Sequence, residues 1–191
     1  MDYLLLFFKK VLRYVLKPLS FLPAFIMIYI IFSFSSQSGT DSGSLSLKVT
    51  TYMVNVGDAI LNKNYDTSQL AYYIEYFHPY VRKLAHVTEY FFLAVSVAFP
   101  LYVYRLRGFA LVVIAGTICI GVACLDEYAQ TFIAGRVGCK EDVLIDCIGI
   151  FPGIYCTRIF GFIGRKTVFR WLSLEENRRK QALYEETLSQ E

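Results

Sequence analysis

Apolar runs of membrane length recur along this chain, and short polar clusters break them. Residues 18–40 carry no charge, and the apolar part from Leu19 to Phe34 predicts a first span over about 19–36. The next stretch, 37–79, is polar to amphipathic. Leu45, Val49, Tyr52, Met53, Val56 and Ile60 recur there at helical spacing, and Asn62-Lys63-Asn64 reads as a turn. Asp66-Thr67-Ser68-Gln69 has the spacing of a capping box, and Leu70, Tyr73, Ile74 and Phe77 follow on one side. Two short helices lying against the membrane surface are predicted, their aromatic side chains suited to the interface.

Pro79 is placed to open a second span, about 80–104, polar at its start and apolar from Tyr90 onward. Pro100 is expected to kink it, and Arg105 and Arg107 to end it. A third span covers about 108–128, where Gly108 to Leu125 is uncharged over 18 residues. The fourth, about 142–163, has only 11 residues between Asp146 and Arg158. It crosses a bilayer if Asp146 sits near one interface and Arg158 snorkels to the other.

The ends differ in kind from this membrane domain of residues 18–163. In residues 2–17, Lys10, Arg13 and Lys17 share one helical face and apolar side chains cover most of the rest, which fits a helix lying on an anionic leaflet. A cleaved leader fits less well, because apolar residues also precede the basic ones. Residues 164–191 form a charged tail in which Ser173-Leu174-Glu175-Glu176 has capping-box spacing.

The expected fold is all-α: an integral membrane four-helix bundle with an N-terminal amphipathic helix and two short extracytoplasmic helices. Composition agrees, since 55% of residues are hydrophobic and 18% charged, against about 25% charged in soluble domains. The length allows one bundle and no second large domain. With the N-terminus inside, thirteen Lys and Arg fall on the inner side and six on the outer, which puts both termini in the cytoplasm. The five cysteines form no CxxC pair and read as packing residues rather than disulfides or a zinc site. Membrane lipids are the expected surroundings, and no nucleic-acid partner is expected.

That topology brings four polar motifs to one membrane face. They are Ser35-Ser36-Gln37, the run Arg82-Lys83-Leu84-Ala85-His86-Val87-Thr88-Glu89, Asp126-Glu127 with Gln130, and Arg136 to Asp146. Arg82, His86 and Glu89 stand at i, i+4 and i+7, within an arc of about 60°. Asp126 and Gln130, like Asp142 and Asp146, are spaced i, i+4, and Gly149 and Gly153 extend the latter face. Small residues permit close helix approach, so the two aspartates should point into the bundle.

Together these motifs resemble the VanZ-like membrane proteins: Ser-Ser-Gln, Arg-Lys-x-x-His-x-x-Glu-Tyr, Asp-Glu-x-x-Gln-x-x-x-x-x-Arg and Asp-x-x-x-Asp-x-x-Gly, over roughly residues 20–160. Carried over by position, the resemblance marks Gln37, Lys83, His86, Glu89, Asp126, Glu127, Gln130, Arg136 and Asp142. Asp146 stands where an asparagine is common in that family, and Cys139 where a small polar residue is common. The resemblance implies a multi-pass protein of the bacterial cytoplasmic membrane. It also implies a link to glycopeptide resistance, notably to teicoplanin, but no settled activity.

Chemically, His86 is the group with an ordinary pKa near neutrality, and Glu89 or Asp126 could orient it for acid–base work. The candidate catalytic groups are therefore His86, Glu89, Asp126 and Glu127. Arg82, Lys83 and Arg136 could hold a phosphate or carboxylate, and Gln37, Gln130, Asp142 and Asp146 complete the candidate binding set. A hydrolase or transferase acting on a lipid-linked or glycopeptide-related substrate of the cell envelope is one reading. An accessory protein that holds an envelope lipid, a lipoglycopeptide or a partner protein is the other. No nucleophile stands out, Ser36 and Cys139 included. No resident cofactor is expected, although the carboxylates could take a divalent cation. The same charges could instead pair internally, Arg136 with Asp126 or Asp142, Lys83 with Glu127, and His86 with Glu89. A transporter fits poorly, because four spans carry no visible repeat, and the oligomeric state is left open.

Overall fold

The structure, a computed structural model, describes residues 17–37, 39–133, 138–164 and 166, with backbone alone at 39–42. The basic helix expected at 2–17 falls outside these residues except for Lys17. So do Arg136 and, apart from Gly164 and Lys166, the charged tail. The described residues are helical and contain no sheet. Five helices follow in order: α1 Leu22–Ser35, α2 Gly39–Leu61, α3 Thr67–Val103, α4 Gly108–Gln130 and α5 Lys140–Gly164. Four segments are long and apolar enough to cross a membrane, namely Lys17–Ser35, α3, α4 and α5.

Local rules explain both boundaries of α3. Asp66 caps α3: its carboxylate accepts the Gln69 N–H at 2.7 Å, and the Gln69 side chain accepts the Asp66 N–H at 3.2 Å. The Ser68 hydroxyl and the Gln69 N–H hold the Asp66 carboxyl below its usual pKa. Between α3 and α4 the chain reverses through two left-handed residues, Arg105 at φ 71° and Gly108 at φ 63°. Glycine takes that conformation at no steric cost, and arginine does not.

Two expectations need correction. The stretch before the second span does not hold two short helices. Its first half is one 23-residue helix, α2. Its second half is the beginning of α3, which runs 37 residues without a break. Pro79 therefore lies inside α3 and does not open a helix. An internal proline removes one backbone hydrogen bond, and here contacts on both sides of it hold the helix together. Tyr76 and Tyr80 bracket Pro79 with ring centroids 5.8 Å apart, and Tyr73 stacks on Phe77 at 6.4 Å. Across to the facing helix α2, His78 Nε2 of α3 lies 2.9 Å from Ser46 Oγ and 3.2 Å from the Gly43 carbonyl.

The core lies where the four spans meet. It is built from Ile31, Tyr90, Leu93, Ala94, Leu111, Ala115, Cys119, Ile150 and Ile154, among others. The most extensive contact joins α3 to α5. Gly149 and Gly153 make it possible. A Cβ at Gly149 would strike the Val87 carbonyl, and one at Gly153 would stand 2.6 Å from the Phe91 carbonyl. The small-residue face expected on α5 thus lets two backbones touch. Asp146, one turn before Gly149, is carried into the protein interior, as the small-residue face implied.

Candidate functional site

One end of the bundle gathers most of the polar residues singled out in the sequence. The last turn of α1 delivers Ser35, which is buried. Its hydroxyl donates to Asp126 Oδ2 at 2.9 Å and accepts from Gln130 Nε2 at 3.2 Å. The same Gln130 amide reaches Asp126 Oδ2 at 3.2 Å and Glu127 Oε1 at 3.5 Å. Glu127 Oε2 accepts the backbone N–H of Cys139 at 2.9 Å. Asp126 and Gln130 on α4 therefore tie α1 on one side, and Glu127 between them ties the approach to α5 on the other. Asp126 is wholly buried, at 0% exposure, and Glu127 and Gln130 nearly so. Burying such groups is costly unless they bond one another, which explains the tightness of this knot.

In front of it lies a cavity of about 170 Å³, walled by Ser35 and Gln37 from the end of α1, Ser46 from α2, and Arg82, His86 and Glu89 from α3. Apolar side chains, including Leu45, Val49 and Val81, complete the wall. The i, i+4, i+7 spacing on α3 places its three polar residues on one lining. His86 has two environments. It faces the cavity, and behind it Nδ1 stands 3.9 Å from Asp146 Oδ1, with the histidine side chain 24% exposed and the aspartate 2%. Among the described residues the Asp146 carboxylate takes no hydrogen bond, so this contact is its nearest compensation. Asp146 also lies within Coulombic reach of Glu127, Asp126, Asp142 and Glu89.

Residues 20–161 match the VanZ/LLP1 family. The chain belongs to the VanZ/LLP1 family. Neither the curated proteins nor the solved structures compared with it give a match. The VanZ/LLP1 region takes in nearly all of α1 to α5 and every residue that lines the cavity.

Within the VanZ/LLP1 domain the marked residues divide by position. Gln37, His86 and Glu89 line the cavity, joined by Arg82. Asp126, Glu127, Gln130 and Asp146 stand behind the wall. Lys83 is exposed on α3, and Asp142 is half-buried in the first turn of α5, neither on the lining. Arg136 lies outside the described residues. Among those residues no group of three or more His, Cys, Asp or Glu is arranged to hold a metal ion. Cys139 donates its thiol to Glu141 Oε2 at 2.6 Å, and that bond raises the thiol pKa, so the sulfur stays protonated at neutral pH.

Two contributors, Ser46 and His78, belong to no motif of the sequence, and a third, Ser35, stands there only as part of Ser35-Ser36-Gln37. Ser35, not its neighbour Ser36, is the serine of its motif that faces inward. Ser46 and His78 join α2 to α3 and carry no local signal. The carbonyl of Gly43 can only accept, so it makes His78 Nε2 a donor, and Ser46 then receives a hydrogen bond rather than losing its proton. That arrangement is a clamp between helices, not an activated nucleophile.

Proposed function

We propose that this VanZ/LLP1 protein is an acid–base enzyme, a hydrolase or transferase, acting on a lipid-linked substrate of the bacterial cell envelope. The observation that carries the reading is His86: a histidine on a cavity wall, backed by a buried carboxylate and flanked on the same lining by an arginine and a glutamate. Arg82 supplies a fixed positive charge for a phosphate or carboxylate. His86 takes a proton from water or an acceptor hydroxyl as that oxygen attacks, and returns it to the leaving oxygen. Asp146 is a positioning residue that stabilises the imidazolium formed between the two transfers. The volume, about 170 Å³, is below the roughly 300–1,000 Å³ of sites that engulf a drug-sized ligand. It suits a headgroup fragment whose lipid stays in the bilayer.

Thirteen inner against six outer basic residues support both termini in the cytoplasm of the bacterial cell, with the cavity opening outward. The second reading, a protein that holds such a ligand without turning it over, is favoured by the hydrogen-bonded closure of Asp126, Glu127 and Gln130 behind the wall. His86→Gln separates the two. The full chain is placed in lipid nanodiscs with a lipid-linked pyrophosphate, and phosphate release and binding are both measured. The enzyme reading expects turnover to fall by roughly 10²–10⁴-fold while binding changes little. No turnover by the wild type, or a fall in binding alone, overturns it in favour of the holder.

A further inference from the structure

The opposite end of the bundle carries a second, unrelated arrangement. Here α3 ends, α4 begins and α5 approaches its C-terminus. A hollow of about 390 Å³ lies among Tyr102, Arg107, Gly108, Tyr155 and Arg158. It shares Tyr102 and Arg107 with an apolar groove of about 800 Å³ between α3 and α5. Phe92, Phe99 and Phe160 line that groove and are exposed along it.

The two arginines are set for an anion. Among the described residues neither Arg107 nor Arg158 has a carboxylate within ion-pair distance. Each is instead held over a ring, Arg107 5.4 Å from the Tyr102 centroid and Arg158 5.4 Å from that of Tyr155. Lys166 stands 4.8 Å over Phe162 at the same end. Cation–π contacts fix a guanidinium without neutralising it. Gly161 holds the floor in place, since a Cβ there would meet the Tyr102 ring at 2.7 Å. Paired positive charge opening onto a long apolar trough is complementary to an amphiphile with an anionic head.

We propose that this end of the VanZ/LLP1 domain is a binding site for an anionic membrane phospholipid. Its phosphate sits between Arg107 and Arg158, and one acyl chain lies in the groove along Phe92, Phe99 and Phe160. A second copy of the chain in the same orientation is the poorer occupant. Every Asp and Glu of α3, α4 and α5 lies toward the other end, so among the described residues a neighbour would bring arginine against arginine. The proposal does not depend on the activity of the cavity.

The test is lipid retention by the purified full chain, read by native mass spectrometry. Phosphatidylglycerol and phosphatidylcholine of identical acyl chains are offered in equal amounts. A basic side chain near a membrane surface favours an anionic lipid by about five-fold, so a preference on the order of tenfold or more is expected for two of them. Arg107→Gln/Arg158→Gln should bring the ratio close to one, while His86→Gln leaves it unchanged. Equal retention of the two lipids by the wild type overturns the proposal whatever the variants do. So does an undiminished preference in the double variant. Should that variant not fold, Arg158→Gln alone is expected to lower the preference about five-fold, and no change on that substitution is equally fatal.

Discussion

Ser35 does more for the site than its size indicates. One hydroxyl donates to Asp126 and accepts from Gln130, so it closes a network spanning α1 and α4 and also forms part of the cavity wall. Removing it leaves buried polar groups short of a partner, which costs about 1–3 kcal/mol. Ser35→Ala is therefore expected to lower the thermal stability of the detergent-solubilised protein by that amount. Ser36→Ala should change it by less than about 0.5 kcal/mol, because that hydroxyl is exposed and among the described residues serves only the Ser33 carbonyl. Equal losses from the two would remove Ser35 from its assigned role. The sequence distinguishes these neighbours poorly. Adjacent helical positions point about 100° apart, and the rotation of α1 that decides between them is set by packing. Arg82, His86 and Glu89 are easier to read, since their shared face follows from spacing alone. His78 and Ser46 could not be read, because their contact joins two helices whose pairing no local pattern encodes.

At the scale of the element, α3 and α5 set the frame. Gly149 and Gly153 bring the two backbones together, and that approach carries Asp146 to His86. Gly149→Ala places a methyl against the Val87 carbonyl, where only backbone movement can relieve it. The expected loss is at least about 1–3 kcal/mol, with His86 displaced from Asp146. Gly121→Ala, where a Cβ meets nothing, is expected to be neutral or stabilising in the same melting experiment. The start of α3 has its own pH signature. The folded-state pKa of Asp66 is depressed, so its contribution is present above the unfolded value of 3.8 and is lost as pH falls through the lower folded value. Hydrogen exchange at the amides of Gln69 and Leu70 is expected to rise, relative to intrinsic rates, below that pH. Protection unaffected by acid would show that the cap does not hold the helix. The capping box is legible in the residue spacing at 66–69, whereas the passage of α3 through Pro79 is not. A proline is a sound stop signal by itself, and here the aromatic contacts across it and the packing of α2 override it.

Across the whole molecule, chemistry is polarised. Buried carboxylates and the histidine cavity occupy one end, and arginines held on aromatic rings occupy the other. The first and third spans were legible because uncharged runs of this length have few other uses, the second and fourth because their apolar stretches remain long between a few charges, and the family resemblance because its motifs occur in order. The division of those motifs into a lining and a buried backing was not legible, since it depends on how four helices turn toward one another. Both functional readings share one requirement, that the cavity holds the anionic part of an envelope ligand. The most direct test is the affinity of the wild type and Arg82→Gln for a lipid-linked pyrophosphate in nanodiscs. Loss of a charge-assisted hydrogen bond should weaken binding by about 1.5–3 kcal/mol, roughly 10- to 100-fold. Unchanged affinity, or no binding by the wild type, would contradict the assignment of this cavity as the ligand site.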